Sequence, residues 1–199
     1  MKISQINQII GKTDIYLLDQ IIKGRYQSSE IILDAGCGSG RNLYWFYNND
    51  FSIYGIDKKE DNIEALKKTY SNQAGNFSVS KVEEITFQDI FFNHIICNAV
   101  LHFAENETNF IKMFSELMRV LKPYGSLFIR VASDIGIENK IKHISDGVYI
   151  LPDGTTRYLF TKTLYKKLID TYNFKLLEPL KTVNVNDLRC MTTIVIQKQ

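Results

Sequence analysis

Short apolar runs rich in β-branched residues alternate along this chain with segments in which apolar positions recur at helical spacing. The apolar runs predict five successive strands, at residues 31–33, 52–56, 77–80, 94–100 and 126–132. The segments between them predict helices, at residues 41–48, 62–70 and 108–121. Strands that alternate with helices are typical of parallel sheets with crossover helices on both faces. The pattern therefore predicts a doubly wound α/β fold with a mostly parallel sheet.

Two further apolar runs, near residues 174–180 and 192–197, are joined by a loop too short for a crossover helix. They predict an antiparallel hairpin at the end of the chain, which completes a seven-stranded sheet. Helices are also predicted at residues 14–23 and after Thr161 or Thr163, either of which can serve as the N-cap.

One long segment, residues 133–160, has no strong apolar period. It contains three glycines and a proline, and long loops of this kind often cover or line a ligand site. We therefore expect residues 133–160 to form a lid or a substrate-binding insertion. The chain has no internal repeat, low-complexity tract or linker, which predicts that residues 1–199 form a single domain.

Composition narrows the classes of function. The 199 residues are 45% hydrophobic and 23% charged, and 24 basic against 22 acidic side chains give a net charge of +2. That balance argues against a general nucleic-acid binder or a membrane-surface protein. The three cysteines lie far apart, which predicts no metal site and no disulfide framework and favours a cytoplasmic protein. No apolar run has the length of a membrane span, and no signal peptide is expected.

The main concentration of functional features is the segment 33–40, LDAGCGSG, which lies between a predicted strand and a predicted helix. Its glycines allow a sharp turn and let a ligand approach the backbone without a Cβ in the way. The free N–H groups of the following helix point to the crevice where open α/β sheets bind ligands. Asp57 ends the next strand, where its carboxylate can accept hydrogen bonds from both hydroxyls of a ribose. Together these features predict a site for an adenosine-containing ligand.

Two ligand classes fit this arrangement, a nicotinamide dinucleotide and S-adenosylmethionine. The dinucleotide fingerprint G-x-G-x-x-G needs a third glycine for close helix–strand packing, and Arg41 occupies that position when the motif starts at Gly36. Asp34 precedes the loop, and its carboxylate would repel a pyrophosphate but attract the sulfonium and α-ammonium groups of S-adenosylmethionine. Electrostatics therefore favours the methyl donor, with an NAD-dependent oxidoreductase as the alternative.

Three motifs resemble those of the class I S-adenosylmethionine-dependent methyltransferases of the small single-domain type. LDAGCGSG at 33–40 looks like the family's first motif, and GID at 55–57 looks like the second-strand motif whose acid holds the ribose. RVLKPYG at 119–125 is similar to the family's turn before the fifth strand, and the terminal hairpin is similar to the family's last two strands. The resemblance implies a Rossmann-like methyltransferase fold and an enzyme that converts S-adenosylmethionine to S-adenosylhomocysteine.

The resemblance also implies which residues hold the methionine part of this cofactor. Asp34, at the end of the first predicted strand, would contact it directly. Asn98, at the end of the fourth, would face either the methionine part or the substrate. The loop backbone would contribute at four positions, Gly36, Cys37, Gly38 and Gly40.

For the adenosine part, the resemblance assigns Asp57 to the ribose hydroxyls and Lys58 to the flank of the adenine ring. The family often places an acid after the third strand to bind the adenine amino group, but Lys81 stands at that position here. We therefore expect Val82 to offer its backbone N–H to the ring and Glu83 to substitute for the acid. Lys81 is the feature that favours a third interpretation, a non-catalytic S-adenosylmethionine-binding protein.

The implied reaction is in-line methyl transfer to an O, N, S or C atom, which depends mainly on close and aligned placement of the acceptor. His102 follows the fourth predicted strand and is the candidate catalytic residue, as a base or an acceptor-orienting group, with simple packing as its alternative role. Tyr16, Tyr149, Arg157 and Tyr158 are candidates to cover the site and bind an anionic or planar acceptor, or to pack the loops. Without an added recognition domain, we expect a small-molecule acceptor and no nucleic-acid or membrane partner.

Overall fold

A computed structural model describes residues 2–199, with one large sheet between two layers of helices. The strands are β1 (Ile31–Ala35), β2 (Ser52–Asp57), β3 (Phe77–Val79), β4 (Phe92–Asn98), β5 (Leu121–Ser133), β6 (Lys142–Ser145), β7 (Val148–Ile150), β8 (Thr156–Tyr158), β9 (Phe174–Leu176), β10 (Lys181–Val185) and β11 (Arg189–Lys198). The α-helices are α1 (Ile3–Ile10), α2 (Ile15–Ile22), α3 (Tyr44–Tyr47), α4 (Glu60–Thr69), α5 (Glu107–Val120) and α6 (Lys162–Thr171). Short 3₁₀ turns lie at Ser71–Asn76, Val82–Glu84 and Leu101–Phe103.

The large sheet has the strand order β10-β11-β5-β4-β1-β2-β3, with β9 also paired to β11. Strands β1 to β5 are parallel, and β11 is antiparallel to β5, β9 and β10. Because β9 and β10 pair with successive stretches of one edge of β11, the sheet is seven strands wide. The predicted doubly wound, mostly parallel α/β fold with an antiparallel terminal hairpin is confirmed.

Strand bounds differ from the prediction by a few residues at several ends, for example Phe92–Asn98 for the predicted 94–100, and two differences change how the sheet is built. The terminal hairpin consists of β10 and β11, whereas residues 177–180 connect β9 to β10 and extend neither strand. The fifth strand begins at Leu121, which pairs with Phe92, and residues 122–125 bulge outward before pairing resumes at Ser126. Such interruptions depend on cross-strand pairing, which an apolar pattern within one strand does not report.

Residues 133–160 contain a second sheet that the apolar pattern did not predict. Strands β6, β7 and β8 form a three-stranded antiparallel sheet, and the segment returns to its start where Ser133 pairs with Phe160. These strands have only three or four residues each and carry many exposed side chains, so they lack a readable alternation. Helix α1, which buries no residue fully, is a second element outside the prediction.

Alternate residues of the central strands supply two separate cores. Leu33 packs on one face of the sheet with Phe110 of α5, and Ile32 packs on the other face with Phe46 of α3. All four side chains are buried. The strand order reverses at β1, which lies between β2 and β4, and doubly wound sheets bind ligands beside such a reversal. No helix within residues 2–199 is long and apolar enough to cross a membrane.

Candidate functional site

The turn after β1 is a loop whose three glycines occupy the left-handed region. Gly36, Gly38 and Gly40 have φ values of 78°, 53° and 71°, which residues with a Cβ rarely adopt. The N–H groups of Gly36 and Cys37 donate to the Ile56 carbonyl at 2.8 and 2.9 Å. A Cβ on Gly38 would meet no atom within 4 Å. The loop is therefore tied to β2 while free space remains beside Gly38 for a ligand.

Asp57 connects this loop to the start of α4. Its Oδ2 accepts a hydrogen bond from the Gly38 N–H at 2.9 Å, and its Oδ1 accepts one from the Lys59 N–H, also at 2.9 Å. Each carboxylate oxygen can accept a second hydrogen bond, so both retain capacity for the hydroxyls of a ribose. The carboxylate thus has a structural role and a free acceptor on each oxygen.

A cavity of about 350 Å³ lies beside the loop, and we call it the loop cavity. Five of the sequence-predicted residues line it: Gly36, Asp57, Lys58, Val82 and Glu83. The remaining lining residues are Lys59, Asn62, Ser80, Lys81, Ala99, Val100, Phe103, Glu105, Asn109 and Met113. The structure therefore brings together the predicted ribose and adenine contacts, along with a set of residues that the motifs did not indicate.

The residues outside the prediction differ in how they reach the cavity. Asn62 lies in the first turns of α4, directly after Asp57, so its nearness in sequence was a usable signal. Asn109 and Met113 belong to α5, which packs against the 3₁₀ turn at 82–84. Nothing in the local sequence of α5 connects it to the glycine loop, and only the tertiary fold brings them together.

Three polar side chains at the ends of β1, β4 and β5 form what we call the polar row. Asp34 lies in register with Ile96, and Asn98 lies in register with Arg130. Because Ile96 and Asn98 are two residues apart on one strand, Asp34, Asn98 and Arg130 share a face of the sheet. Among the described residues, Asp34 Oδ2, both amide atoms of Asn98 and Arg130 Nε have no hydrogen-bond partner. Buried polar atoms are normally paired, so the row has the chemistry of a binding site.

The environment of Asp34 favours a cationic neighbour. Asp34 is 1% exposed, and burial raises the pKa of its carboxyl to about 7, with Arg41 opposing the rise and Asp57 adding to it. A positive group placed against this carboxyl would restore its ionised form. The polar row therefore presents a carboxylate for an ammonium group, together with amide and guanidinium donors for a carboxylate, which complements an amino acid.

Helix α2 lies over this end of the strands. Asp14 caps the helix by accepting from the Tyr16 N–H at 3.0 Å, and its Oδ2 lies 3.5 Å from Arg130 Nη1 and 3.6 Å from Arg41 Nη2. The guanidinium of Arg130 also lies over the Tyr16 ring, 4.8 Å from its centroid. Tyr16, expected from sequence to cover the site, thus contacts the polar row through Arg130.

Five of the predicted cofactor residues do not line the loop cavity: Asp34 and Asn98 of the polar row, and Cys37, Gly38 and Gly40 of the loop. The Cys37 side chain packs in the core beside Ile32, and burial raises the pKa of its thiol, so it behaves as a small apolar group. A Cβ on Gly40 would lie 2.3 Å from Leu66 Cδ2, which makes this glycine necessary for packing α4.

His102 lies in the 3₁₀ turn after β4 and is 6% exposed. Its Nδ1 accepts a hydrogen bond from the Ala132 N–H at 3.2 Å, which assigns the hydrogen of the neutral ring to Nε2. Burial, followed by the charges of Arg157 and Arg130, lowers the pKa of His102 to about 4. At neutral pH the ring is therefore uncharged and offers an Nε2–H donor.

His102 lines a second cavity, of about 260 Å³, which we call the arginine cavity. Its lining residues are Ala99, His102, Arg130, Ala132, Leu151, Asp153, Thr155, Arg157, Val185, Arg189 and Met191. Ala99 lines both cavities, so they meet at the end of β4. The insertion at 133–160 and the hairpin β10–β11 supply most of its outer wall. Within residues 2–199, no group of three or more His, Cys, Asp or Glu side chains is placed to hold a metal ion.

Residues 33–129 match the protein-family model described as "Methyltransferase domain". This range runs from the middle of β1 into β5 and contains the glycine loop, Asp57 and Asn98. Residues 33–129 therefore form a methyltransferase domain. The family resemblance of the sequence motifs is thereby confirmed.

Several curated proteins match this methyltransferase domain. The Bacillus subtilis protein YqeM is 33% identical over 108 residues, which are 53% of this chain and 44% of YqeM. The ubiquinone biosynthesis O-methyltransferase of Rickettsia akari is 29% identical over 171 residues, 78% of this chain and 64% of that protein. The tRNA (carboxymethyluridine(34)-5-O)-methyltransferase of Arabidopsis thaliana is 33% identical over 104 residues, 52% of this chain and 24% of that protein. The chain spans less than two thirds of the length of each of these relatives.

Solved structures of methyltransferases share the fold. An S-adenosylmethionine-dependent methyltransferase from Methanosarcina mazei superposes with a TM-score of 0.71 at 23% identity, covering 89% of this chain and 96% of its own. The 1,6-didemethyltoxoflavin-N1-methyltransferase of Burkholderia thailandensis, solved with S-adenosylhomocysteine, superposes with a TM-score of 0.68 at 17% identity, covering 96% of this chain and 79% of its own. At these identities the likeness confirms the Rossmann-like fold of the methyltransferase domain.

Proposed function

We propose that this chain is an S-adenosylmethionine-dependent methyltransferase that acts on a small-molecule acceptor and forms S-adenosylhomocysteine. The observation that carries the proposal is the convergence of three features at one edge of the sheet. These are the open glycine loop, the free acceptor positions of Asp57 and the partnerless atoms of the polar row. Each feature complements a different part of an adenosyl amino acid. We also propose that residues 1–199 act as a single domain, in the cytoplasm, where the three buried free cysteines would stay reduced.

The adenosine part would occupy the loop cavity. Asp57 would accept hydrogen bonds from the ribose hydroxyls, using the positions left free by Gly38 and Lys59. Val82 and Glu83 lie in the 3₁₀ turn that borders the cavity, where they would contact the adenine. The side chains of Lys58 and Lys81 line the same wall and would flank the ring.

The methionine part would bind the polar row. The Asp34 carboxylate would pair with the ammonium group, and Asn98 and Arg130 would offer N–H donors to the carboxylate. When bound, S-adenosylmethionine supplies a sulfonium whose methyl group is electrophilic. The protein's task is then to orient the acceptor toward that methyl group, at the junction of the two cavities beside Ala99.

His102 would act as a hydrogen-bond donor toward the acceptor. Its Nδ1 accepts the hydrogen bond from the Ala132 N–H, so the Nε2–H is the donor that the ring can offer to a ligand. His102 lines the arginine cavity, where such a ligand would bind. A neutral donor of this kind orients an acceptor atom that reacts through its own lone pair. Proton removal by His102 is therefore not required by the proposed reaction.

The competing functions make different demands. An NAD-dependent oxidoreductase would place a pyrophosphate near the buried carboxyl of Asp34, which is electrostatically unfavourable. The fold alone does not decide the reaction, since the [4+2]-cyclase SpnF superposes with a TM-score of 0.65 at 14% identity.

A tRNA acceptor, as in the name of the Arabidopsis relative, competes with a small molecule. The modest size of the arginine cavity favours the small molecule.

A transfer assay tests the proposal. The protein is incubated with methyl-labelled S-adenosylmethionine and, in parallel, with a small-molecule cell extract or with total tRNA. We expect the label to appear in the small-molecule fraction. Label in the tRNA would contradict the acceptor class, and donor binding without label in either fraction would indicate a non-catalytic binding protein.

A further inference from the structure

The arginine cavity carries more positive charge than its lining acid balances. Guanidinium groups come from three separate strands, Arg130 of β5, Arg157 of β8 and Arg189 of β11. Asp153 supplies the one carboxylate among the lining residues that the structure describes, and Asp14, behind the wall, pairs with Arg130, which leaves a net excess of one positive charge. His102 adds no charge, since its imidazole is neutral. A cavity with this excess favours a negatively charged occupant.

Asp153 is engaged chiefly in holding its own turn. Its Oδ1 accepts from the backbone N–H of Thr155 at 3.0 Å and from the Thr155 hydroxyl at 2.6 Å. Its Oδ2 lies 3.6 Å from Arg189 Nη1, which is longer than a hydrogen bond. The Arg189 side chain is 54% exposed, so solvent screens this loose pair. The guanidinium of Arg189 therefore keeps donors for a ligand.

Stacking holds the other two guanidinium groups, and Arg130 is also paired with Asp14, so the free N–H groups lie mainly on Arg157. Arg157 lies over the Phe103 ring, 4.9 Å from its centroid, and its Nη1 donates to the Thr156 carbonyl at 2.6 Å. Arg130 lies over the Tyr16 ring, and its Nε has no partner among the described residues. Stacking sets the plane of each guanidinium, and planar forks with free N–H groups suit bidentate binding of carboxylate or phosphate.

The rest of the wall is apolar and adjoins the loop cavity. Leu151, Val185 and Met191 supply apolar surface for the organic part of a ligand. Ala99, which has a left-handed φ of 62°, lines both cavities. A molecule anchored at Arg157 and Arg189 would therefore present its organic part toward the loop cavity. The volume of about 260 Å³ lies just below the range of about 300–1,000 Å³ that is typical of ligand cavities, which suits a small ligand.

We propose that the arginine cavity is the acceptor site and that the acceptor is a small organic molecule bearing a carboxylate or phosphate group. This inference rests on the proposed function, since it assigns the second substrate of the same reaction. It makes residues 133–160 a substrate-binding insertion. The acceptor's lone pair forms the bond to the methyl carbon as the carbon–sulfur bond breaks, the electron pair stays on sulfur, and any proton on the acceptor atom passes to solvent.

Titration calorimetry with simple probes tests the anion site. The probes are inorganic phosphate, benzoate and its uncharged analogue benzamide, each added to protein saturated with S-adenosylhomocysteine. We expect benzoate or phosphate to bind at least about tenfold more tightly than benzamide, because charge-assisted hydrogen bonds are lost with the neutral probe. Binding of phosphate alone would identify the phosphate class, and binding of benzoate alone the carboxylate class.

Two variants locate the site. Arg189→Gln and Arg157→Gln should each weaken anion binding by roughly tenfold to a hundredfold. Lys166→Gln, which removes the same charge from the exposed face of α6, should leave anion binding unchanged. Equal affinity for benzoate, phosphate and benzamide, or anion binding that both arginine variants retain, would overturn the inference while S-adenosylhomocysteine still binds. Failure of S-adenosylhomocysteine to bind would instead overturn the proposed function.

Discussion

The carboxylate of Asp57 accepts a hydrogen bond from the backbone N–H of Gly38 at 2.9 Å, which joins the end of β2 to the glycine loop. The side chain that would hold the ribose therefore also sets the shape of the loop beside it. This coupling links the acid at the end of β2 directly to the glycine loop after β1. It also predicts that a change at Asp57 affects both stability and cofactor affinity.

Replacing Asp57 by alanine should weaken S-adenosylhomocysteine binding by at least tenfold to a hundredfold, a rough figure for lost charge-assisted hydrogen bonds. The lost bonds to Gly38 and Lys59 should lower the free energy of unfolding by about 1 kcal/mol. Asp61→Ala is the matched control, because Asp61 is exposed on the neighbouring helix α4. Titration calorimetry and chemical denaturation measure the two effects. Unchanged affinity in Asp57→Ala would contradict the ribose assignment.

Gly38→Ala and Gly24→Ala form a second matched pair. Both glycines have positive φ, 53° and 69°, and a Cβ at either position would meet no atom within 4 Å. Each substitution should therefore cost about 1 kcal/mol of stability through backbone strain. Only Gly38→Ala should also weaken S-adenosylhomocysteine binding, since its Cβ would enter the space beside the loop. Equal cofactor affinity in the two variants would show that no ligand approaches Gly38.

The parts of this site that the sequence predicted are those built by neighbouring segments. Asp34, the glycine loop and Asp57 occur within one strand–loop–helix–strand unit, so their spacing carries the information. The arginine cavity differs, because Arg130, Arg157 and Arg189 lie on three strands far apart in the chain. No local pattern relates them, and only the return of residues 133–160 to the end of β5 and the pairing of β11 with β5 bring them together.

The secondary structure divides in the same way, into buried strands that the sequence predicted and short strands that it did not. The strands β1, β2 and β4 are buried and rich in apolar residues. Their alternation with helical segments therefore allowed them to be predicted from the sequence. The strands β6 to β8 are short and bury only Tyr158, so burial imposes no regular pattern on them. Helix α3 has only four residues, Tyr44–Tyr47, whereas the apolar pattern predicted a helix over 41–48. Residues 41–43 of the predicted helix form instead the turn that follows the glycine loop.

S-adenosylmethionine binding should depend on pH through Asp34. Burial raises the pKa of this carboxyl to about 7, so below that pH the free protein holds a proton there. A bound cation favours the ionised form, so binding releases the proton and affinity falls as the pH is lowered from about 8 to about 6. Calorimetry in two buffers of different ionisation enthalpy measures the released proton. Asp34→Asn should remove the release, and an identical pH profile in that variant would contradict the role of Asp34.

Acid should destabilise the fold partly through His102. Its folded-state pKa is lowered to about 4, below the ordinary value of 6.5. Between these two pH values the unfolded chain binds a proton at His102 and the folded chain does not. The free energy of unfolding should therefore decrease as the pH falls from about 6.5 to about 4, by up to about 3 kcal/mol from this residue. His102→Asn keeps an acceptor for the Ala132 N–H and should show a smaller decrease. Chemical denaturation at the two pH values measures it, and equal decreases would contradict the buried neutral state.

The central claim is that the site takes an adenosyl amino acid, and titration calorimetry with S-adenosylhomocysteine and NAD tests it most directly. The account predicts that S-adenosylhomocysteine binds with micromolar affinity and that NAD does not bind. The polar row and the free acceptors of Asp57 would then be occupied together. Binding of NAD in preference to S-adenosylhomocysteine, or binding of neither, would contradict the account.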